Sequence, residues 1–501
     1  MAVMGRDENA AETTAGPPAP QRQVGDGRSE EPDPRRWRAF TVCLVAGFMS
    51  LLDVSIVNVA LPSLREGLDA SQSQLQWVVS GYALAFGLVL VPAGRLGDVR
   101  GRRGVFVAGL VLFTVSSAVC GLAPGAGWLV AARLVQGAAG GLLNPQVSGF
   151  VQELFSGRER GKAFGLLGAT IGLSTAVGPL TGGALIAAFG ADHGWRAVFF
   201  VNVPVGVVAV VLALRLLPRT GRRAGAGLDP VGVVLLGAGV LAVLLPVVQD
   251  RSWPGGGKWA LVPVGLVLLA AFVVWERRLT ARGGDPMVDL SLFRRRSYAL
   301  GAGLGLVYFG GFTAIFFVLA LYLQSGLGYS AFAAGLAVTP FALGSAVASW
   351  LGGRFVTRVG RPLVASGLAM VVVGLVGTDL VLGAVGADGV GGVPVGLATV
   401  PTLLLAGVGS GLVISPNITL TLSEVPVREA GSAGGVLQTG QRIGAAVGIA
   451  VVGAVFFSAL ARSGGDWDAA VRHGLWVSAG VVAVALLLAL ADLRSGRRAT
   501  A

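Results

Sequence analysis

The sequence predicts an all-α membrane protein built as two six-helix bundles with two extra central helices, fourteen spans in all. Three observations carry this. Only 13% of the 501 residues are charged and 54% are hydrophobic, with a mean hydropathy of +0.75, whereas a soluble domain carries about 25% charged residues. Reading between the charges leaves fourteen apolar stretches of membrane-spanning length. Finally, a Gly/Arg-rich loop, Gly94-Arg95-Leu96-Gly97-Asp98-Val99-Arg100-Gly101-Arg102-Arg103, recurs as Gly353-Arg354-Phe355-Val356-Thr357-Arg358-Val359-Gly360-Arg361-Pro362, 259 positions later. Fused repeats of this kind are how many secondary transporters are built.

Taken in order, residues 1–38 are rich in Pro, Glu, Asp and Arg, have no apolar run, and read as a disordered tail rather than a signal peptide. The expected spans are 39–62, 75–94, 104–122, 128–151, 163–188 and 197–214, the six helices of an N-terminal bundle over 39–217. A linker over 218–296 holds two more, 230–249 and 259–275. The C-terminal bundle over 297–494 holds 298–323, 332–352, 363–384, 396–420, 430–459 and 474–491, and 495–501 is a short tail. The stretch 297–353 has no charge but is too long for one helix, so Gln324–Ser330 is expected to turn within it. The repeat spacing agrees with this count. Two six-helix halves would place equivalent loops about 200 residues apart, and the surplus of about 60 accommodates two further helices.

Charge fixes the expected orientation. With the N-terminus in the cytoplasm, cytoplasmic tails and loops hold 30 Lys and Arg, external loops hold 6, and Arg133 and Arg442 lie inside helices. This is the positive-inside pattern, and it places both termini in the cytoplasm. The net charge of +12 is scattered over short loops, whereas nucleic-acid footprints cluster on one face. Cys43 and Cys120 lie inside apolar segments and His193 and His473 are the only histidines, so neither a disulfide framework nor a metal site is expected.

Few polar residues are left to carry function. Asp53 lies about fourteen residues into the first span, near mid-membrane at 1.5 Å per residue, where a carboxylate usually marks an ion or proton route. The competing reading is a structural carboxylate bonded to a neighbouring helix. Arg133, Gln136, Gly137, Gly140 and Asn144 share one face of the fourth span. Arg133 either pairs with a buried acid, Asp53 being the candidate, or snorkels to the outer interface. The fifth span carries Gly178-Pro179-Leu180-Thr181-Gly182-Gly183, small residues that permit tight helix contact. Gln438, Gln441 and Arg442 in the thirteenth span, together with Asn58 and Asn144, are candidates for a substrate cavity; the thirteenth-span patch reads equally as a tie between helices. Asp379 reads as an interfacial acid, and Glu153, Glu159 and Glu276 as solvated or headgroup-facing charges.

At these residues the chain resembles a known family, the fourteen-helix drug:proton antiporters of the major facilitator superfamily. Leu52-Asp53-Val54-Ser55-Ile56-Val57-Asn58-Val59-Ala60-Leu61-Pro62 resembles the family's first-helix signature. Gly94–Arg103, with Gly94, Asp98, Gly101, Arg102 and Arg103, resembles the superfamily's conformational loop. Arg133-x2-Gln136-Gly137-x2-Gly140 resembles the fourth-helix motif associated with proton coupling, and Gly178-Pro179-x2-Gly182-Gly183 the antiporter motif. The run Trp195–Gly206 is also typical of the fourteen-helix branch. The resemblance spans residues 38–494.

The resemblance implies a major facilitator fold that rocks about a central cavity. It also implies proton-coupled efflux of amphipathic small molecules, with Asp53 and Arg133 in proton coupling, in a cell membrane. The departures are Val99 where the family usually has arginine, Thr357 where the first loop has Asp98, and Gln438, Gln441 and Arg442 where some relatives carry an acid linked to cationic drugs. The expected partners are a small-molecule substrate, protons and the lipid bilayer, with no nucleic acid, no cofactor beyond the proton gradient, and a monomer as the working unit. A dedicated exporter or an importer of one metabolite is the alternative. A membrane enzyme would need a catalytic constellation that the sequence does not offer, and a channel does not account for two glycine-rich halves.

Overall fold

The computed structural model describes residues 35–219, 227, 229–248, 253, 255–385 and 394–500. The expected N-terminal tail and part of the 218–229 junction lie outside them. Helices α1 (Arg36–Gly67), α2 (Gln72–Arg100), α3 (Arg102–Gly121), α4 (Ala126–Leu154), α5 (Gly157–Phe189), α6 (Ala191–Phe200) and α7 (Asn202–Leu216) form the first bundle. The hairpin α8 (Pro230–Val248) and α9 (Leu261–Ala281) follows. The second bundle is α10 (Arg296–Leu321), α11 (Ala331–Val359), α12 (Arg361–Val385), α13 (Val395–Ala398), α14 (Val400–Thr421), α15 (Ala430–Arg462) and α16 (Trp467–Thr500). Among the described residues there is no strand. Among the described residues thirteen helices are long and apolar enough to cross a membrane, and Pro230–Pro246 is apolar but shorter.

The boundaries follow local chemistry. Ser71 and Gln74 cap the start of α2 reciprocally, and Ser330 caps α11 by accepting the Ala333 N–H at 3.1 Å. The expected turn before α11 is a π-turn over Tyr322–Gly326. The two loop copies make the same left-handed corner, Gly101 at φ 96° between α2 and α3 and Gly360 at φ 68° between α11 and α12, a conformation that favours glycine. The sixth span departs from the single helix expected over 197–214. It breaks at Val201 into α6 and α7, because Pro204 has no N–H to offer the Phe200 carbonyl one turn earlier. The expected 396–420 span is likewise split into α13 and α14.

Neighbour relations repeat between halves. In the first bundle α2 packs on α4, α3 on α4 and α7, and α1 on α5. In the second, α11 packs on α14, α12 on α14 and α16, and α10 on α15. The halves meet through α2 against α15 and α5 against α11, which are equivalent pairs under this repeat. The α5–α11 seam is built from small residues. A Cβ on Gly353 would fall 2.3 Å from the Gly161 carbonyl oxygen, and one on Gly172 would lie 3.0 Å from the Ala342 carbonyl oxygen. Without a hydrophobic drive between lipid-solvated helices, such close packing is what holds them together. The extra hairpin breaks the symmetry. Val240 and Leu244 of α8 pack with Leu84 of α2 and Ile443 and Ala446 of α15, so it covers one of the two seams.

Candidate functional site

Asp53 is fully buried in the middle of α1. Its Oδ2 accepts Arg133 Nη1 from α4. Its Oδ1 accepts Gln136 Nε2 at 3.0 Å and Asn202 Nδ2 at 3.1 Å. Arg133 is itself 1% exposed. It also donates through Nε to the Val78 carbonyl at 3.1 Å and through Nη1 to Gln136 Oε1 at 2.8 Å, with its guanidinium 4.2 Å from the Tyr82 ring centroid. Arg133 therefore pairs inward with Asp53 and does not snorkel. Ser117 of α3 joins by accepting Asn202 Nδ2 at 3.1 Å. A buried ion pair of this kind is tolerated only when the remaining hydrogen-bonding capacity is filled, and here helices α1, α2, α3, α4 and α7 fill it.

The glycines of the fourth-helix motif bring α2 close enough for this. A Cβ on Gly137 would fall 2.3 Å from the Tyr82 carbonyl oxygen, and one on Gly140 would lie 2.9 Å from the Tyr82 hydroxyl. In the fifth-helix motif, a Cβ on Gly178 would meet Ser55 Oγ at 2.4 Å, one on Gly182 would meet Ile56 Cγ1 at 3.0 Å, and Pro179 packs on Gly335 of α11. Gly183 faces only Phe332, at an ordinary 3.5 Å.

A second cluster lies at the basic end of the bundles. Asp98 Oδ1 accepts Arg102 Nη2 and the Gly431 N–H, both at 3.0 Å. Its Oδ2 accepts the Ser432 N–H at 2.7 Å and Ser432 Oγ at 2.8 Å. A carboxylate at the start of α15 is favoured by the unpaired N–H groups there. Arg102 continues to Glu153 Oε2 at 2.9 Å, the Gly149 carbonyl at 3.2 Å and the Val427 carbonyl; Arg103 reaches the Leu214 carbonyl. A Cβ on Gly94 would fall 2.2 Å from the Gly431 carbonyl oxygen, so only glycine lets the halves close here.

The five cavity candidates have different partners. Asn58 is exposed and bonds the Val54 carbonyl of its own helix at 3.2 Å. Asn144 bonds the Gly140 carbonyl at 3.2 Å and Ser50 Oγ at 3.5 Å. Gln441 lies against Gly305 of α10. Gln438 and Arg442 reach the opposite half, the former to Ser148 Oγ at 3.5 Å, the latter stacked 4.5 Å from the Phe86 centroid.

Two acids need correction. Asp379 is 2% exposed rather than interfacially solvated; it accepts Arg472 Nε and Trp476 Nε1, each at 3.1 Å. Glu276 is fully buried rather than solvated or headgroup-facing; the loop after α9 folds back over it, Val288 N–H bonding its carboxylate. Glu153 and Glu159 are each held by an arginine, Arg102 and Arg36, at 2.9 Å. Asn202 was not singled out, although Pro204 two residues later signals the helix break that frees it. Nothing in the sequence signals Ser117 or Ser432. Among the described residues no group of three or more His, Cys, Asp or Glu could hold a metal.

Comparison with known proteins matches a model of the Major Facilitator Superfamily over residues 43–449. The chain is 40% identical to a probable actinorhodin transporter of Streptomyces coelicolor over 87% of this chain and 75% of that protein. It is 35% identical to the puromycin resistance protein pur8 of Streptomyces alboniger over 87% of this chain and 85% of that protein. It is also 35% identical to the cephamycin export protein CmcT of Amycolatopsis lactamdurans, over 83% and 84% respectively. In solved structures the same fold is seen in the human organic anion transporter MFSD10, at TM-score 0.63 and 16% identity over 91% of this chain and all of that one. The proton:xylose symporter XylE shares it at TM-score 0.65 and 16% identity over 91% and 95%.

Proposed function

The chain belongs to the Major Facilitator Superfamily, a family of membrane transporters, and on that premise we propose that it is a proton-coupled antiporter exporting amphipathic small molecules of the antibiotic class. The observation that carries the reading is the Asp53–Arg133–Gln136–Asn202 cluster, an ionised network held away from water at mid-span. A proton on Asp53 removes the charge that Arg133 answers. The guanidinium must then seek other acceptors, and α1, α4 and α7 are free to shift against one another. Loading from outside and release inside would tie one proton to each cycle of alternating access.

Under the positive-inside rule the basic end is cytoplasmic, with the membrane being the cell membrane. The Asp98–Ser432 latch then closes the cytoplasmic side, the outward-facing arrangement from which a proton enters. The names of relatives, two after a resisted or exported antibiotic, support export over import. They also favour the second reading, a dedicated exporter of one metabolite, since each names one compound.

The test is uptake into inverted vesicles energised by an internal acid pH. Substrate accumulation that collapses with a protonophore is expected across a panel of hydrophobic compounds. Accumulation of only one compound selects the dedicated exporter, and accumulation indifferent to the proton gradient rejects coupling.

A further inference from the structure

The extra hairpin contains a pair of buried acids that the transport cycle outlined above does not use. Asp229, just before α8, is 6% exposed and Glu276 of α9 is fully buried. A Cβ on Gly232 would sit 2.3 Å from Asp229 Oδ2 and 2.6 Å from Glu276 Oε1, so both oxygens converge on the space that this glycine leaves open. The other oxygens are engaged. Asp229 Oδ1 accepts the Val231 N–H at 3.1 Å, Glu276 Oε2 accepts the Val288 N–H at 3.1 Å, and Asp229 Oδ2 also accepts Trp275 Nε1 at 2.8 Å. Glu276 Oε1 is buried with no donor to satisfy it.

Among the described residues no cation is paired with either carboxylate. The charges on the elements packed around them are otherwise occupied or exposed. Arg95 of α2 faces Asp285 at 3.7 Å, Asp289 accepts the Ser291 N–H, Asp98 is held at the start of α15, Arg442 of α15 stacks on Phe86, and Arg277 and Arg278 are exposed. With no cation beside it and a second carboxylate facing the same space, a charge on buried Glu276 is costly; an O–H on Glu276 Oε1, aimed at Asp229 Oδ2 across the space beside Gly232, answers that orphaned oxygen.

What the pair holds is mechanically significant. The Val288 N–H bonded to Glu276 belongs to a strap, residues 285–290. Met287 and Val288 pack with Val91 of α2, Phe272 of α9 and Val436 of α15, and α2 and α15 form one of the seams along which the halves meet. We propose that Asp229 and Glu276 form a proton-binding site, separate from Asp53, whose occupancy holds the strap 285–290 on the α2–α15 seam. With the proton bound, the strap is pinned through Val288. When the proton leaves, two like charges face each other in a buried space, the pair separates, and Val288 loses its acceptor. Rising pH therefore loosens the strap and falling pH secures it. The proposal does not depend on the transported compound or on Asp53 being the coupled group.

The test uses the full chain in lipid nanodiscs with two readouts, the infrared carbonyl stretch of protonated carboxyls and amide hydrogen exchange of the 285–292 segment corrected for the intrinsic pH dependence. In the unaltered protein a protonated-carboxyl band should disappear as pH rises, while protection of the strap falls by about tenfold. In E276Q and D229N an amide supplies the bridging donor permanently, so that band should be missing and strap protection should stay high at every pH. D53N should leave the pH profile of strap protection as in the unaltered protein. A band that survives in both E276Q and D229N, or strap protection with the same pH profile in all forms, would overturn the proposal. So would strap protection that follows sodium concentration at fixed pH, which would make the ligand a metal cation.

Discussion

The two halves share a fold but not a chemistry. The crossing of α1 and α4 in the first half is an ionised network around Asp53 and Arg133. The equivalent helices α10 and α14 carry no charge within 297–321 or 400–421, and a neutral bond joins them, Tyr308 Oη to Ser410 Oγ at 2.8 Å. The second half has buried acids too, but Asp379 answers to Arg472, whose side chain is 51% exposed, and Asp492 to Arg296 and Arg361, both partly exposed. The loop copies differ in the same way. The first joins the halves through the Asp98 carboxylate; the second has Thr357 at that place and contributes Gly353, pressed backbone to backbone against α5. On the proposed reading, the first half carries the charges that switch, and the second supplies the surface they switch against.

The largest effect that would break this comparison comes from the two acids. Asp53→Asn keeps shape and removes titration, so gradient-driven accumulation is expected to be abolished while the protein still inserts and facilitated equilibration persists. Asp379→Asn is expected to leave transport within about twofold, because the amide oxygen can still accept from Trp476 and the half-exposed Arg472 keeps water as a partner. Vesicle uptake with and without a proton gradient separates the two. Uphill transport by D53N would pass the role of carrier to another group, and loss of coupling in D379N would mean that both halves carry protons.

A smaller loss is expected at the loops. Asp98→Asn exchanges a carboxylate that accepts from Arg102, Gly431 and Ser432 for an amide that cannot satisfy them all. Hydrogen bonds to a charged group contribute about 1.5–3 kcal/mol each. The closed basic end should therefore lose population, with transport falling about tenfold while substrate affinity changes little. In the second copy the counterpart of Arg102, Arg361, is already paired with Asp492 at 2.8 Å, so Thr357→Asp should not restore activity to D98N. Rescue would show that either copy can latch.

Much of this was legible in the sequence, and the pattern of misses has a physical cause. Spans and the repeat could be read because hydropathy and loop composition are local properties. Asp53 and Arg133 could be read because a charge inside an apolar run is costly wherever it points. Their partners are a different matter. Asn202 and Ser117 are ordinary polar residues until the break at Val201 turns one toward the other. Ser432 matters only because α15 begins where α2 ends. Asp379 reads as interfacial and Glu276 as headgroup-facing because their shields are set by tertiary folding: Trp476 lies 97 residues on, and the strap 285–290 covers Glu276 only by folding back over α9. Gln438, Gln441 and Arg442 show the same limit: their polarity was evident, but helix rotation sends them to different neighbours.

The neutral half can be tested through its packing. Gly353→Ala places a methyl 2.3 Å from the Gly161 carbonyl oxygen and 2.6 Å from Gly165 Cα, both backbone, so a helix must move. Overpacking of this kind costs about 1–3 kcal/mol. A lower thermal midpoint in detergent is expected together with slower transport. Gly183→Ala, with its nearest contact at 3.5 Å, should leave the midpoint unchanged. Equal sensitivity at both glycines would argue that the α5–α11 seam is not the tight pivot the close approaches describe.

The smallest expected effect lies where the second half reaches into the first with a charge. Arg442 of α15 stacks on Phe86 of α2, and Phe86 in turn stacks on Tyr82 at 6.1 Å, the residue over which Arg133 lies. A cation–π contact contributes about 0.5–2 kcal/mol depending on solvation, and here it is made only while α2 and α15 are together. Arg442→Lys keeps the charge but loses the planar stack, and Phe86→Leu keeps apolar volume but loses the ring. Each should shift the balance toward the basic-end-open state by about twofold to fivefold, read from alkylation of a cysteine placed at Ser148, and the double variant should shift it no further than either single one. Additive shifts would show that the two side chains act separately, leaving the Asp98 latch as the charge-dependent tie between the halves.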